Sequence, residues 1–182
     1  MEILIFDHMS ECTESEVQRM LPMVSAQRRE QALRYKHTHG KYCCLKSWLM
    51  LKQLIDKRQQ TISDFKYYEH GKPFMESGPY FSISHCKEGI AVAVDDTPIG
   101  IDIEGIRHAD KELIARTMNK EEQEGMDERK FTRLWTQKEA IVKAEGVGIV
   151  SFEQLREIRC QNSEFRIQTI EKEKYIYSIA HK

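Results

Sequence analysis

Two stretches of this chain combine residue types and spacings that could do chemistry: "PIGIDIEGIR" at 98–107 and "FTRLWTQKEAIVKAEGVGI" at 131–149. In an extended segment alternate residues share a face, so Asp102 and Glu104 point one way while Ile101 and Ile103 point the other. Their Cα atoms fall ~6.5 Å apart. Like charges at that spacing resist ionisation unless a cation or water offsets them. Taken alone, the pair fits the solvated face of an edge strand equally well. On a helix, Trp135, Glu139 and Lys143 are successive i, i+4 neighbours and form one stripe, with Leu134, Ile141 and Val142 in a separate apolar sector. A surface Glu139–Lys143 pair contributes only ~0.3–0.5 kcal/mol. The large aromatic on the same stripe argues for partial burial, and a partly buried charge requires a specific partner.

Brought together, Asp102, Glu104 and Glu139 supply hard oxygen ligands of the kind that hold Mg²⁺, or Mn²⁺ in its place, against phosphate oxygens. Lys143, one turn from Glu139, would then face a phosphate, and the chemistry favoured is displacement at phosphorus. Spacing alone does not dock the helix on the strand.

The elements needed to position these groups can be read from the rest of the chain. "MEILIFDH" reads as an opening strand. A short helix follows, capped by Thr13 with Glu16 as its capping-box partner, and then a basic helix over 25–36 capped by Ser25. Apolar residues Tyr42, Leu45, Trp48, Leu49, Leu51 and Ile55 predict a core helix over 40–58. Strands are expected at 65–70, 80–85, 89–96 and 99–104, helices at about 110–117, 119–125 and 130–145, and a small antiparallel sheet from "FEQLREIRC", "FRIQTI" and "KYIYSIAH". Helix-then-strands thus occurs twice, which predicts an α+β fold of two similar lobes, 1–96 and 97–182, with the active site in the cleft between them.

Composition narrows the class. The chain has 182 residues, 28 Lys and Arg against 29 Asp and Glu, and five cysteines without CxxC spacing. A disulfide framework or zinc knuckle is not implied. No apolar run reaches the ~20 residues of a membrane span. The opening segment has neither the basic start nor the cleavage site of a signal peptide, so a cytoplasmic protein with reduced thiols is expected. Between residues 26 and 60 nine Lys or Arg face two acids, and His37 and His39 add to that excess. Such a segment suits phosphate or an acidic partner.

"IGIDIE" followed by "LWTQKEAIVKAEGVGI", with "GKPF" at 71–74 and "FSISHC" at 81–86 upstream, resembles the 4′-phosphopantetheinyl transferase superfamily, most closely its surfactin-type branch. The resemblance implies transfer of the phosphopantetheine arm of coenzyme A to a carrier-protein serine, with release of adenosine 3′,5′-bisphosphate. It also implies Mg²⁺ on Asp102, Glu104 and Glu139, with Glu139 as general base and Lys143 on the pyrophosphate; Lys138 would add a second positive charge nearby, though it points off the stripe. Ser84 and His85 would contact the nucleotide and a phosphate, and Gly71, Lys72 and Pro73 would line the adenine side. Arg28 would meet the 3′-phosphate. One departure is local: where the branch carries an arginine or similar polar contact after the basic helix, this chain reads "KYCC" at 41–44, with Lys41 the available substitute. The expected partner is an apo acyl or peptidyl carrier protein whose acidic helix meets the basic segment, including Lys46, Lys52 and Lys57. Nucleic acid and membrane are not expected partners, and the chain should be a monomer. Two other readings use the same carboxylates: a Mg²⁺-dependent phosphodiesterase or nuclease, and a coenzyme A- or carrier-binding module without turnover.

Overall fold

The opening run Glu2–Phe6 forms β1, but its pairing partner comes from the middle of the chain: β5 (Ile90–Asp95) lies antiparallel to it, and β4 (Tyr80–His85) flanks β5 on the other side. The computed structural model describes residues 1–68, 71–146, 148 and 151–182. Between β1 and β4 the chain forms α1 (Glu14–Met20), α2 (Ala26–Leu33) and α3 (Thr38–Lys57). Thr13 and Ser25 cap α1 and α2 as their hydroxyls predict, accepting from Glu16 N and Arg28 N. Glu16 does not complete a capping box; its carboxylate instead takes the Arg19 guanidinium at 2.6 Å. α3 buries Tyr42, Leu45, Trp48, Leu51 and Ile55, together with Cys43, Cys44, Met50 and Leu54, against Val92, Val94 and Phe81 of the sheet. Strand 65–70 shrinks to β2 (Lys66–Tyr67), paired with β3 (Pro73–Phe74); Glu69 and His70 lie outside the described residues.

The second half repeats the pattern. β6 (Ile99–Gly105) leads into α4 (Lys111–Thr117), α5 (Lys120–Gln123), α6 (Glu128–Glu145) and α7 (Phe152–Glu157), and β7 (Arg166–Glu171) with β8 (Tyr175–His181) close the sheet. Strand order is β1-β5-β4 in one sheet and β6-β8-β7 in the other, so in each half the last strand is central. "FEQLRE" is helix α7 rather than a strand. Ser151 accepts from Gln154 N, and Phe152, Leu155 and Ile158 recur at helical spacing with Leu155 buried. A full capping box appears at Asn119 and Glu122, where α5 begins.

The sheets meet along β4 and β6. Ile101 N donates to Ser82 Oγ at 3.1 Å and Ile103 N to Ser84 Oγ at 3.3 Å, so serine hydroxyls satisfy backbone donors at that edge. Ile99, Ile101 and Ile103 pack with Ile3, Ile5, Ala91 and Ala93 of the first sheet and with Tyr175 and Ile179 of the second. The other face of β6 lies under α6. A Cβ on Gly100 would sit 1.9 Å from Ala140 O and 2.5 Å from Ala144 N, so only glycine permits that approach. The face bearing Asp102 is therefore not a wet edge: Asp102 is only 3% exposed.

Candidate active site

β6 and α6 hold the two acidic segments together because glycine at position 100 lets the helix backbone settle on the strand. Asp102 projects from that seam. Its Oδ1 accepts from Ser84 Oγ at 2.7 Å and from Lys143 Nζ at 2.6 Å, and Lys143 also reaches Ser84 Oγ at 3.1 Å. Asp102 Oδ2 is buried without a hydrogen-bond partner in the protein. Such a carboxylate oxygen invites a cation or a donor from a ligand. Three separate segments, β4, β6 and α6, thus converge on one point.

Glu139, also on α6, lies within electrostatic reach of Asp102, Glu104 and Lys143. Burial, then the Asp102 charge, pushes its carboxyl up to about 7, outweighing the pull of Lys143 and Arg107. Glu104 is raised by the same two causes. Burial draws the Lys143 ammonium down, but Asp102, Glu139 and Glu104 outweigh it and leave it above its ordinary value. Among the described residues, no three His, Cys, Asp or Glu side chains are gathered closely enough to form a ready metal cluster. The cation that Asp102 now meets is Lys143.

The Gly-Lys-Pro turn comes to the same place. Gly71 takes φ of +83°, which glycine adopts without a Cβ penalty, and its N–H closes the turn onto Tyr68 O. Gly71, Lys72 and Pro73 line a cavity of about 310 Å³ with Ser82, Glu139 and Lys143. Lys72 Nζ donates to the Lys143 carbonyl, and burial followed by the Lys143 charge lowers its pKa to about 8. His85 ends β4 with its edge exposed. Desolvation by surrounding atoms, then His39, Lys143 and Arg28, hold it below the ordinary imidazole range.

Arg28 is placed differently from the open phosphate contact expected of it. It is buried, and its three nitrogens donate to Cys44 O, Gln31 Oε1 and Ser47 Oγ, with the guanidinium over Phe65. Its position delivers charge to the His85 side but not an open fork. Lys138 is a correction: fully buried on the far side of α6, it donates to Glu122 at 2.6 Å and to Thr117 O at 3.0 Å, and braces α4 and α5. Its helical position next to Glu139 in sequence turns it away from the site. Lys41 sits 4.0 Å from Glu14. The last residues of the second motif, Val147 and Ile149, lie outside the described residues.

Two residues that the spacing argument missed stand beside the site. Arg107 lays its guanidinium 4.8 Å from the Trp135 ring centre and lowers the pKa values of Glu139 and Glu104 by its charge. It follows β6 without periodic signal, and only the aromatic stripe of α6 hinted at a partner. Ser82, in the "FSIS" run, could be found only by asking which alternate hydroxyls face the next strand.

Residues 98–181 match the model of the 4′-phosphopantetheinyl transferase superfamily. The 4′-phosphopantetheinyl transferase Sfp of Bacillus subtilis is 30% identical over 149 residues, which cover 75% of this chain and 66% of the relative. AcpT of Salmonella typhi is 33% identical over 112 residues, 55% of this chain and 58% of the relative. HetI of a Nostoc species is 38% identical over 120 residues, 58% and 51% of the two lengths. The chain therefore matches between about half and just under two thirds of each of these proteins.

Proposed function

We propose, from the match of residues 98–181 to the 4′-phosphopantetheinyl transferase superfamily and the likeness to Sfp, that the chain is a member of that superfamily and transfers the 4′-phosphopantetheine arm of coenzyme A to a serine hydroxyl of an apo acyl or peptidyl carrier protein, releasing adenosine 3′,5′-bisphosphate. The observation that carries the reading is the meeting of Ser84, Asp102 and Lys143 within 3.1 Å of one another, beside Glu139 and the Gly-Lys-Pro turn. A buried Asp102 paired with Lys143, beside the half-buried Glu104 and Glu139, suits a diphosphate and its counter-cation.

Asp102, Glu104 and Glu139 would hold Mg²⁺, or Mn²⁺. The hard oxygen donors and the unpartnered Asp102 Oδ2 fit such an ion. When bound, it supplies charge neutralisation to the pyrophosphate. Glu139, raised toward neutral pH, accepts the proton of the incoming serine hydroxyl. The serine oxygen forms its bond to phosphorus as the bond to the nucleotide phosphate breaks. Lys143 meets the charge that accumulates on the departing phosphate. Lys72 and the turn around it flank the nucleotide, and His85 with Ser84 lie toward its phosphates.

The proposed setting is cytoplasmic and monomeric, with lobes 1–96 and 97–182 related by a pseudo-twofold and the site in their cleft. The basic helices would meet the carrier's acidic helix. The test is a mass measurement on an apo carrier incubated with the protein, coenzyme A and Mg²⁺. A gain of one phosphopantetheine is expected; an unmodified carrier at all Mg²⁺ concentrations would overturn the reading.

A further inference from the structure

We infer that Thr136, Ser178 and Thr169 form a hydroxyl clasp that fixes α6 on its sheet, which makes Thr136 and Ser178 positioning residues for Glu139 and Lys143. This rests on the function proposed above and deepens it. Strand register builds the clasp. Ser178 is the direct partner of Asp102 on β6 and of Thr169 on β7, so the three stand in a row across the sheet. Directly opposed side chains share a face. Here it is the face under α6, since Gly100, two residues from Asp102 on the same strand, meets the helix backbone.

The helix closes the row from above. Thr136 Oγ1 lies 2.8 Å from Ser178 Oγ, and Thr169 Oγ1 lies 2.9 Å from the same Ser178 Oγ. Gln137 Nε2 donates to Thr169 Oγ1 at 2.9 Å, and Thr136 gives its own proton to Arg133 O at 2.9 Å. A hydroxyl has a single proton to donate, which leaves one consistent direction. Gln137 donates to Thr169, Thr169 to Ser178, and Ser178 to Thr136. Thr136 and Ser178 are fully buried, and Thr169 is half-buried at the outer end.

Placement gives the clasp its function. Along α6, Glu139 falls between Thr136 and the two alanines, Ala140 and Ala144, that sit over Gly100. That small apolar seat sets how deep the helix lies, but apolar contact is not directional. Hydrogen bonds are, so the clasp supplies the rotation of α6 and its register along the strands. Glu139 is one turn on from Thr136 and Lys143 two turns on, so both turn with it. Asp102 is thereby tied to α6 twice, directly through Lys143 at 2.6 Å and through its strand partner Ser178. Replacing both members of a buried hydroxyl pair by apolar groups is close to neutral for stability. What a satisfied buried pair adds is one preferred arrangement.

The test combines Thr136→Val with Ser178→Ala in the whole protein and compares denaturant unfolding, carrier labelling and Mn²⁺ titration followed by electron paramagnetic resonance. The unfolding midpoint should stay close to that of the unaltered protein. kcat should fall ~10-fold or more with KM for coenzyme A within about two-fold, and Mn²⁺ should bind ~10-fold more weakly. Thr136→Ser keeps the hydroxyl and loses only a methyl group, so it should retain most of both. If the paired variant folds and keeps kcat and Mn²⁺ affinity, or if Thr136→Ser loses as much as the pair, the clasp does not position the site. Should the pair fail to fold, Thr169→Val at the half-buried end decides instead: the same split at smaller size supports the clasp, and unchanged kcat and Mn²⁺ affinity overturn it. An unaltered protein that binds Mn²⁺ but labels no carrier refutes the transferase reading and leaves the Mn²⁺ comparison to decide the clasp.

Discussion

Lys143 stands where the proposed anionic ligand would arrive, and it is held there by its ion pair with Asp102 at 2.6 Å. Removing it leaves Asp102 buried with one carboxylate oxygen already unpartnered. Lys143→Ala should therefore cost ~3 kcal/mol in denaturant unfolding, the lower part of the range for breaking a buried pair because Lys143 is a quarter exposed. Adding Asp102→Asn should recover part of that loss while leaving transfer abolished; a double variant no more stable than Lys143→Ala alone would deny the pair its role. Glu139 gives a pH signature. Its pKa is raised in the folded protein, so the native state gains from its proton below the ordinary carboxylate value and loses that gain as pH rises through about 7. In chelator-treated protein, Glu139→Gln should melt higher than the unaltered chain at pH 8, with the gap closing toward pH 5. The same variant should lose at least ~10²-fold in kcat. Asp102, Glu104, Glu139 and Lys143 are legible in sequence because residue type and a two- or four-residue spacing fix the face each occupies. Lys138 and Arg28 are not, because their charge says nothing of depth: Lys138 finds Glu122, and Arg28 is folded under α3 onto Cys44 and Ser47.

At the level of elements, the site depends on how closely α6 lies on β6. Gly100→Ala places a methyl against the Ala140 carbonyl and the Ala144 nitrogen, backbone atoms that cannot swing aside. An overpacking cost of ~1–3 kcal/mol is expected in chemical denaturation. Activity should fall further than that loss implies, because Glu139 and Lys143 ride on the displaced helix. A Gly100→Ala protein of unchanged stability would mean the helix can retreat freely. Ser82→Ala tests the seam: it strands Ile101 N and should cost ~1–3 kcal/mol, as an unsatisfied buried donor does. α3 and β4 to β6 are legible from apolar period and β-branched content. α7 is not, because "FEQLREIRC" carries both periods over a short run, and its fate is settled by the Ser151 cap and the burial of Leu155. The Ser82 and Ser84 staples are equally hidden, since they exist only once two strands from separate sheets have met.

For the whole molecule, the near-zero net charge conceals a basic face, and the structure tempers it. Lys52 already pairs with Asp56 at 2.5 Å, while Lys46 sits 3.9 Å from both Glu11 and the Phe6 ring centre. Replacing Lys46, Lys52 and Lys57 together should slow association with an acidic carrier and flatten its salt dependence, with kcat unchanged. A salt response identical to that of the unaltered protein would place the docking face elsewhere. The halves themselves share strand order and one apolar cluster but are joined edge to edge through hydroxyls. Such a joint has a practical consequence. The backbone between β5 and β6 turns through exposed Asp96 and Thr97, and severing it there leaves each fragment with an uncovered greasy flank shaped for the other. Produced as separate polypeptides, the two pieces should be inert alone and regain carrier labelling on mixing, which makes the chain a candidate for fragment complementation.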